Sequence, residues 1–365
     1  MSCGNGGTGT ALQRKSPWNT SRGPEDTFVG FPLKLHRGDG SPIRAVGIVT
    51  DELVHIARKA ETESMSDASH EADYQQTVSS DETLGFLPET RIELVRQLEL
   101  DHPPEHAVFD FDGTLSLIRE GWPQVMVPMM VEFLQATGTD ETGDELHTLA
   151  HTFVMELNGK QTIYQMIRLA EEIKKRGGIP LEPTEYKNLY HDRLMERIVS
   201  RREALRSGQM PPETMLVPHA LDLLRALQKR QTQLYLASGT DEQYVKEEVE
   251  LLGLDTFFGQ HVYGAVDDFK AFSKAMVIRR ILAENQVDGS RLVGFGDGYV
   301  EIMNVKEAGG IAVAVASDEA GRSGEPDPWK RKRLLGVGAD LVIPDYQDTP
   351  ALMSLLWNER EDAAS

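Results

Sequence analysis

Two aspartates stand one residue apart in "FDFDGTLS", residues 109–116, at the end of an apolar run. If the strand continued regularly, Asp110 and Asp112 would point to opposite faces, so both can reach one site only where the chain turns. Gly113 allows such a turn, because glycine adopts backbone conformations that other residues avoid. Two carboxylates held this close repel each other, and a divalent cation relieves the repulsion. Since carboxylate and carbonyl oxygens suit a hard cation, the pair predicts a Mg²⁺ site.

Further polar residues lie at or just after other apolar runs of the chain. The hydroxyl of Ser238 and the backbone N–H of Gly239 can donate hydrogen bonds to phosphoryl oxygens at a helix N-terminus. Lys274 can neutralise phosphoryl charge, while Asp297 and Glu301 in "FGDGYVE" supply further oxygen ligands for the metal. The carboxyl ends of parallel strands meet at one edge of a sheet, so these residues predict one site for Mg²⁺ and a phosphoryl group.

The elements that must position these residues are short apolar runs, separated by stretches with helical periodicity from about residue 105 onward. Each run is bounded by turn residues and is nearly continuous in apolar character, as in strands covered on both faces of a parallel sheet. The runs are "HAVFDFD", "TQLYLASG", "HVYGAV", "RLVGFGDG", "GIAVAVAS" and "ADLVIPDY". Their alternation with helices predicts an α/β fold with a doubly wound, Rossmann-like parallel sheet.

One long interval, residues 118–217, breaks this alternation, because a strand–helix–strand crossover needs far fewer residues. It contains successive stretches with apolar residues at helical spacing, so we predict an inserted, all-helical domain. The surrounding core domain is then 105–117 and 218–365. Ahead of it we predict a disordered tail over 1–27, from its polar, glycine-rich composition, and an extension with an acidic linker over 28–104.

Composition limits the classes of partner. The formal net charge of -20 disfavours nucleic acid and anionic membrane surfaces as partners. A single cysteine, Cys3, excludes an internal disulfide, and no apolar run approaches the ~18 residues of a membrane-spanning helix. The N-terminus lacks the apolar segment of a secretory signal. We therefore expect a soluble, cytoplasmic protein.

The order of the motifs resembles that of the haloacid dehalogenase superfamily: "DFDGT", then "ASGT", then a lysine that opens a helix, then "GDGYVE". The resemblance covers roughly residues 105–347. It implies that Asp110 is the nucleophile, which accepts the phosphoryl group as an aspartyl phosphate. It also implies that Asp112 protonates the leaving oxygen and then activates water, while its backbone carbonyl and the Asp110 carboxylate hold Mg²⁺.

The same resemblance implies that the helical insertion is a cap, which closes over the site and reads the substrate. The segment "ELNGKQT" lies between two predicted helices of this cap. Lys160, Gln161 or Thr162 in that segment could then reach the substrate.

Two positions depart from the family pattern. The fourth motif usually has a second aspartate where this chain has Glu301, a longer acid that could bind the metal directly or through water. For the lysine of the third motif, "DDFKAFSKAM" offers both Lys270 and Lys274, and we prefer Lys274 because it begins the helix.

These implications predict a Mg²⁺-dependent phosphatase acting on a small phosphorylated metabolite, such as a sugar phosphate or phosphoglycolate. One alternative is a phosphomutase like β-phosphoglucomutase, which uses the same acids but returns the phosphoryl group to a sugar. Another is a domain that has lost turnover and serves as a binding or regulatory module.

Overall fold

A computed structural model describes residues 73–78, 83–98, 100–266 and 268–359. The predicted tail over 1–27, Cys3 and most of the predicted extension lie outside these described residues. Within them, no helix combines the length and apolar character needed to cross a membrane.

The centre of the fold is an eight-stranded sheet with the strand order β1-β2-β8-β7-β6-β3-β4-β5. Strands β3 to β8 are parallel where they pair, whereas β1 pairs with β2, and β2 with β8, in antiparallel fashion. The strands are β1 (Gly85–Phe86), β2 (Glu93–Leu94), β3 (His106–Phe109), β4 (Gln233–Asp241), β5 (Val262–Ala265), β6 (Leu292–Gly296), β7 (Ile311–Val315) and β8 (Leu341–Ile343). All six strands predicted from apolar runs are present, so the predicted α/β fold is confirmed.

Helices cover the sheet and form the insertion. Their burial of both sheet faces explains why strands such as "IAVAV" in β7 are apolar at every position. The helices of the described chain are α1 (Pro123–Gln135), α2 (Gly143–Glu156), α3 (Thr162–Lys175), α4 (Pro183–Arg206), α5 (Ala220–Lys229), α6 (Glu242–Leu251), α7 (Asp255–Phe258), α8 (Lys274–Asn285), α9 (Tyr299–Glu307), α10 (Pro328–Gly336) and α11 (Thr349–Leu356). Short 3-10 helices span Pro212–Met215, Phe269–Ala271 and Gly289–Arg291.

The segment between β3 and β4 is helical, as predicted. Helix α2 begins with a capping box, in which Thr142 and Glu145 satisfy each other's backbone N–H groups. The described residues between Ala68 and Ser365 form one compact unit that contains both the sheet and this insertion. The domain boundaries at 117/118 and 217/218 therefore stay a prediction.

Two strands of the sheet come from the region assigned to the N-terminal extension. Strands β1 and β2 extend the sheet beyond β8, and an Arg331–Glu93 ion pair joins β2 to α10. Arg91 Nη2 lies 2.8 Å from Asp345 Oδ1, which ties the same segment to the residues after β8. The folded sheet thus begins before residue 105. Two-residue strands carry no periodicity by which sequence could reveal them.

Candidate active site

A cavity opens where the carboxyl ends of the central strands β3, β4 and β6 meet. Phe109 of β3 pairs in register with Leu236 of β4 and Phe295 of β6. The residues that follow each strand therefore converge, as the sequence predicted. The core contributes to the cavity wall Asp110, Asp112, Ser238, Gly239, Thr240, Lys274, Asp297 and Glu319.

The turn after β3 brings both aspartates of the first motif into this cavity. Gly113 has φ +73, and a Cβ at this position would lie 2.3 Å from Asp297 Oδ2. Any other residue here would strain the backbone and displace the neighbouring acid. The hydroxyl of Thr114 accepts a hydrogen bond from the backbone N–H of Asp297 at 3.0 Å, which joins this turn to the loop after β6.

Asp110 and Lys274 form a buried ion pair at the floor of the cavity. Lys274 Nζ lies 2.8 Å from Asp110 Oδ1, and the two side chains are 3% and 8% exposed. Burial raises the pKa of Asp110 to about 6, against the lowering effect of Lys274 and with the added repulsion of Asp297. Lys270, the alternative third-motif lysine, is exposed on the protein surface.

Asp112 lies beside Asp110 but has a different set of partners. Its Oδ2 accepts a hydrogen bond from the Thr240 hydroxyl at 2.8 Å, and Arg119 Nε lies 3.8 Å from its Oδ1. Burial raises the pKa of Asp112 to about 7, although Arg119 lowers it, and Glu248 raises it further. A carboxyl group with a pKa near neutrality can both donate and accept a proton, as general acid–base catalysis requires.

Ser238 lies within β4, three residues before the strand ends at Asp241, where it is almost completely buried and lines the cavity. Its Oγ accepts a hydrogen bond from the backbone N–H of Thr240 at 3.1 Å. Gly239 packs against the main chain of the insertion, since a Cβ here would lie 3.1 Å from the carbonyl oxygen of Lys160.

Lys330 was missed by sequence reasoning, because "WKRKR" reads as a solvated charged helix face. In the structure Lys330 is buried, with its Nζ 2.8 Å from Asp297 Oδ2 and 2.7 Å from Glu319 Oε1. Burial lowers the pKa of Lys330, but Asp297 and Glu319 outweigh that effect and raise it overall. Lys330 therefore fixes the orientation of both carboxylates.

The donor set at this end of the sheet fits Mg²⁺. Among residues 73–78, 83–98, 100–266 and 268–359, no cluster of three or more His, Cys, Asp or Glu side chains could hold a metal ion. Mg²⁺ does not need one, since it commonly takes one or two carboxylates and keeps several waters. Asp110 and Asp297 line the same cavity, and the charge of Asp297 raises the pKa of Asp110. A cation held by both carboxylates would relieve this repulsion.

Glu301, the acid of the fourth motif, lies in the first turn of α9. Its carboxylate forms an ion pair with Lys274, and Glu301 is not among the residues that line the cavity. Glu301 is thus a second anionic partner of Lys274. Its role as a metal ligand, direct or through water, stays a prediction.

The three candidate residues of the insertion have different surroundings. Thr162 lines the cavity. Lys160 also lines it, and its Nζ lies 2.7 Å from Asp73 Oδ1 and 5.0 Å from the centre of the Tyr164 ring.

Gln161 is not among the residues that line the cavity, and its predicted contact with substrate stays a prediction. Its side-chain amide donates to the backbone carbonyls of Phe269 at 3.1 Å and Phe272 at 2.8 Å. Those carbonyls belong to the segment that leads into Lys274, so Gln161 supports that segment.

The loop between α2 and α3 approaches the core through glycine. A Cβ on Gly298, in the loop after β6, would lie 2.7 Å from the Cα of Gly159. Gly159 itself has φ +98. The main chains of insertion and core therefore meet directly at the cavity wall.

Other cavity residues could not be selected from sequence. Arg119 forms a bidentate ion pair with Glu248, at 3.0 and 2.9 Å, although the two are 129 positions apart. Trp122 and Tyr190 line the cavity from the insertion, and each also fits the apolar pattern of an ordinary helix. Only the packing of the insertion on the core distinguishes them.

Comparison with known proteins places these features in context. A family model described as haloacid dehalogenase-like hydrolase matches residues 104–309, more than half of the chain. No curated protein matches the sequence significantly.

Solved structures with a similar fold share little sequence identity with this chain. A predicted phosphoglycolate phosphatase from Haemophilus somnus is 16% identical, with a TM-score of 0.45, over 68% of this chain and 97% of that one. A β-phosphoglucomutase from Clostridium difficile is 13% identical, with a TM-score of 0.46, over 70% and 98% of the respective chains. A mutant CbbY from Rhodobacter sphaeroides, in complex with xylulose-(1,5)bisphosphate, is 18% identical, with a TM-score of 0.41, over 67% and 95%.

Proposed function

Because this chain belongs to the haloacid dehalogenase-like hydrolase family, we propose that it is a Mg²⁺-dependent phosphatase of small phosphomonoesters that works through an aspartyl phosphate. One observation carries the proposal. A buried carboxylate paired with a lysine, Asp110 with Lys274, shares a cavity with a second carboxyl group, Asp112, whose pKa is about 7.

In the first step, a carboxylate oxygen of Asp110 attacks phosphorus, and the bond between phosphorus and the leaving oxygen breaks. Lys274, 2.8 Å from Asp110, offsets negative charge on the transferred group. Ser238 and the N–H of Gly239 lie at the same wall and can donate hydrogen bonds to the phosphoryl oxygens.

Asp112 acts as the general acid and then as the general base. In its protonated form it gives a proton to the leaving oxygen, and as a carboxylate it then takes one from the water that attacks the aspartyl phosphate. Inorganic phosphate leaves as the bond between phosphorus and the Asp110 oxygen breaks. The hydrogen bond from Thr240, at 2.8 Å, holds the Asp112 side chain in place for both transfers.

The carboxylates of Asp110 and Asp297, with the backbone carbonyl of Asp112, would hold the Mg²⁺ ion. When bound, Mg²⁺ neutralises phosphoryl charge and lowers the repulsion between the acids. Lys330 stabilises the site by holding Asp297 through a 2.8 Å ion pair.

The test is release of inorganic phosphate from a panel of phosphate esters, including p-nitrophenyl phosphate, in the presence of Mg²⁺. We expect turnover by the wild type and by Asp101→Asn, which removes an exposed acid outside the cavity. Asp110→Asn should lose at least about a thousandfold in rate, because the amide is a poor nucleophile. Turnover that survives in Asp110→Asn would contradict the proposal.

The same panel separates the alternatives. A phosphomutase like β-phosphoglucomutase would convert a sugar phosphate to its isomer and release little phosphate. A binding module without turnover would release none from any ester, and Asp110→Asn would change nothing.

A further inference from the structure

The insertion brings two cations to the cavity, and each is already paired with a carboxylate. Arg119 is 7% exposed and makes its bidentate ion pair with Glu248, which is completely buried. Breaking such a pair would leave an uncompensated charge in the interior. Arg119 therefore stays paired with Glu248 when a ligand binds.

Lys160 is the second cation, and its partner, Asp73, belongs to the segment that precedes β1 in the chain. The Lys160 side chain is 1% exposed, while that of Asp73, 2.7 Å away, is 81% exposed. The neighbouring Tyr74 anchors this segment, since its ring packs edge-to-face on Tyr299 and lies 4.1 Å from the Arg333 guanidinium. Asp73 is therefore held where it neutralises a lysine of the cavity wall.

The remaining side chains that the insertion contributes to the cavity are uncharged. They are Trp122, Met126, Asn158, Thr162, Gln165 and Tyr190. Amides, a hydroxyl and aromatic rings suit a ligand that combines hydroxyl groups with apolar C–H faces. An additional carboxylate of the core, Glu319, also lines the cavity.

The core and the insertion contribute different charges to the cavity. The core contributes Lys274 and the proposed Mg²⁺ ligands, whereas both cations of the insertion are already paired with carboxylates outside the cavity lining. A second anionic group on the substrate would find Arg119 and Lys160 already neutralised by Glu248 and Asp73, and would therefore have no cation of its own. An anionic group that is buried without a counter-ion loses its hydration without compensation, which disfavours its binding.

We propose that the substrate is a monophosphate of an uncharged, hydroxyl-rich molecule such as a sugar or polyol, and that Asp73 is a specificity residue that excludes esters with a second anionic group. This inference rests on the proposed phosphatase function. Within that function it favours sugar phosphates over phosphoglycolate and over bisphosphates.

The first experiment compares kcat/KM within matched pairs of esters at saturating Mg²⁺. The pairs are fructose 1-phosphate with fructose 1,6-bisphosphate, and glycerol 3-phosphate with phosphoglycolate. We expect the ester with the uncharged leaving group to be preferred by about tenfold or more in each pair. Equal rates, or preference for the more anionic ester, would overturn the inference.

The second experiment uses Asp73→Asn, which removes the charge and keeps the shape. Because Lys160 then loses its partner, the ratio of kcat/KM for phosphoglycolate to that for glycerol 3-phosphate should rise about tenfold, mainly through KM. Asp101→Asn serves as the control and should leave that ratio unchanged. Adding Lys160→Met to Asp73→Asn should cancel the gain, as a double-mutant cycle requires for a direct pair.

The outcomes distinguish a failure of the specificity inference from a failure of the phosphatase function on which it rests. If p-nitrophenyl phosphate is hydrolysed by the wild type but not by Asp110→Asn, while Asp73→Asn leaves the ratio unchanged, the specificity inference fails and the phosphatase function stands. If no ester is hydrolysed, both fail.

Discussion

Lys274 Nζ lies 2.8 Å from Asp110 Oδ1, and both side chains are almost entirely buried at the end of the central strand β3. Lys274 also pairs with Glu301 of α9, so one ammonium group holds two carboxylates from separate elements. The nucleophile that we propose is thus oriented by a residue that begins α8, and that residue is fixed in turn by α9.

The variant Lys274→Met should therefore lower kcat about 10²- to 10³-fold, because it removes the positive charge beside the transferred phosphoryl group. Steady-state kinetics with p-nitrophenyl phosphate would measure the loss, and thermal unfolding would report any loss of folded protein. Lys270→Met is the matched control, since Lys270 is exposed four residues earlier. A larger loss of kcat in Lys270→Met would mean that the third-motif lysine has been misassigned.

Mg²⁺ should stabilise the protein against heat, because the site that we propose for it, with Asp110 and Asp297, exists only in the folded state. At a concentration of 100 Kd a ligand that binds only the folded state adds about 2.7 kcal/mol to the free energy of unfolding. Differential scanning fluorimetry with and without Mg²⁺ should show a rise in Tm for the wild type and for Glu307→Gln, which changes an exposed acid on α9. The rise should be absent in Asp297→Asn. A wild-type Tm that does not respond to Mg²⁺ would argue against the metal site.

Glu172 gives the insertion a pH-dependent contribution to stability. Burial raises its pKa, but hydrogen bonds from Lys175 and Arg176 and the charge of Arg168 outweigh burial and lower the pKa overall. A lowered pKa means that the contribution is complete above the unfolded pKa, near 4.3, and is lost as pH falls through the folded value.

We therefore expect Glu172→Gln to lower the free energy of unfolding by about 1–2 kcal/mol at pH 7, and by progressively less as the pH falls below the unfolded pKa. Urea unfolding at pH 7 and at a pH below the unfolded pKa would measure both differences. Glu171→Gln changes the adjacent exposed acid and should have little effect at either pH. A Glu172→Gln deficit that does not shrink in acid would indicate lost packing instead of a lost charge.

Sequence was a good guide to the residues at the ends of the strands. The position of Asp110, Ser238 and Asp297 around one cavity follows from parallel pairing of apolar strands, which can be recognised in a single chain. The helical insertion was equally visible, because its length and periodicity exclude an ordinary crossover.

Sequence was a poor guide to which way a side chain points within an element. Lys330 reads as solvated but pairs with Asp297, and nothing in the sequence indicates that Gln161 bonds to backbone carbonyls. Both depend on how α10 and the insertion pack against the core. Contacts between elements so far apart in the chain leave no local periodicity to detect.

The contact between Gly159 and Gly298 sets how tightly the insertion can sit on the sheet. A Cβ on Gly298 would lie 2.7 Å from the Cα of Gly159, closer than carbon atoms normally approach each other. A methyl group at Gly298 would hold the insertion farther from the sheet, so bulk water could reach the proposed aspartyl phosphate before the first product has left. We therefore expect the lifetime of the proposed intermediate to depend on two positions that have no side chain and take no part in the chemistry.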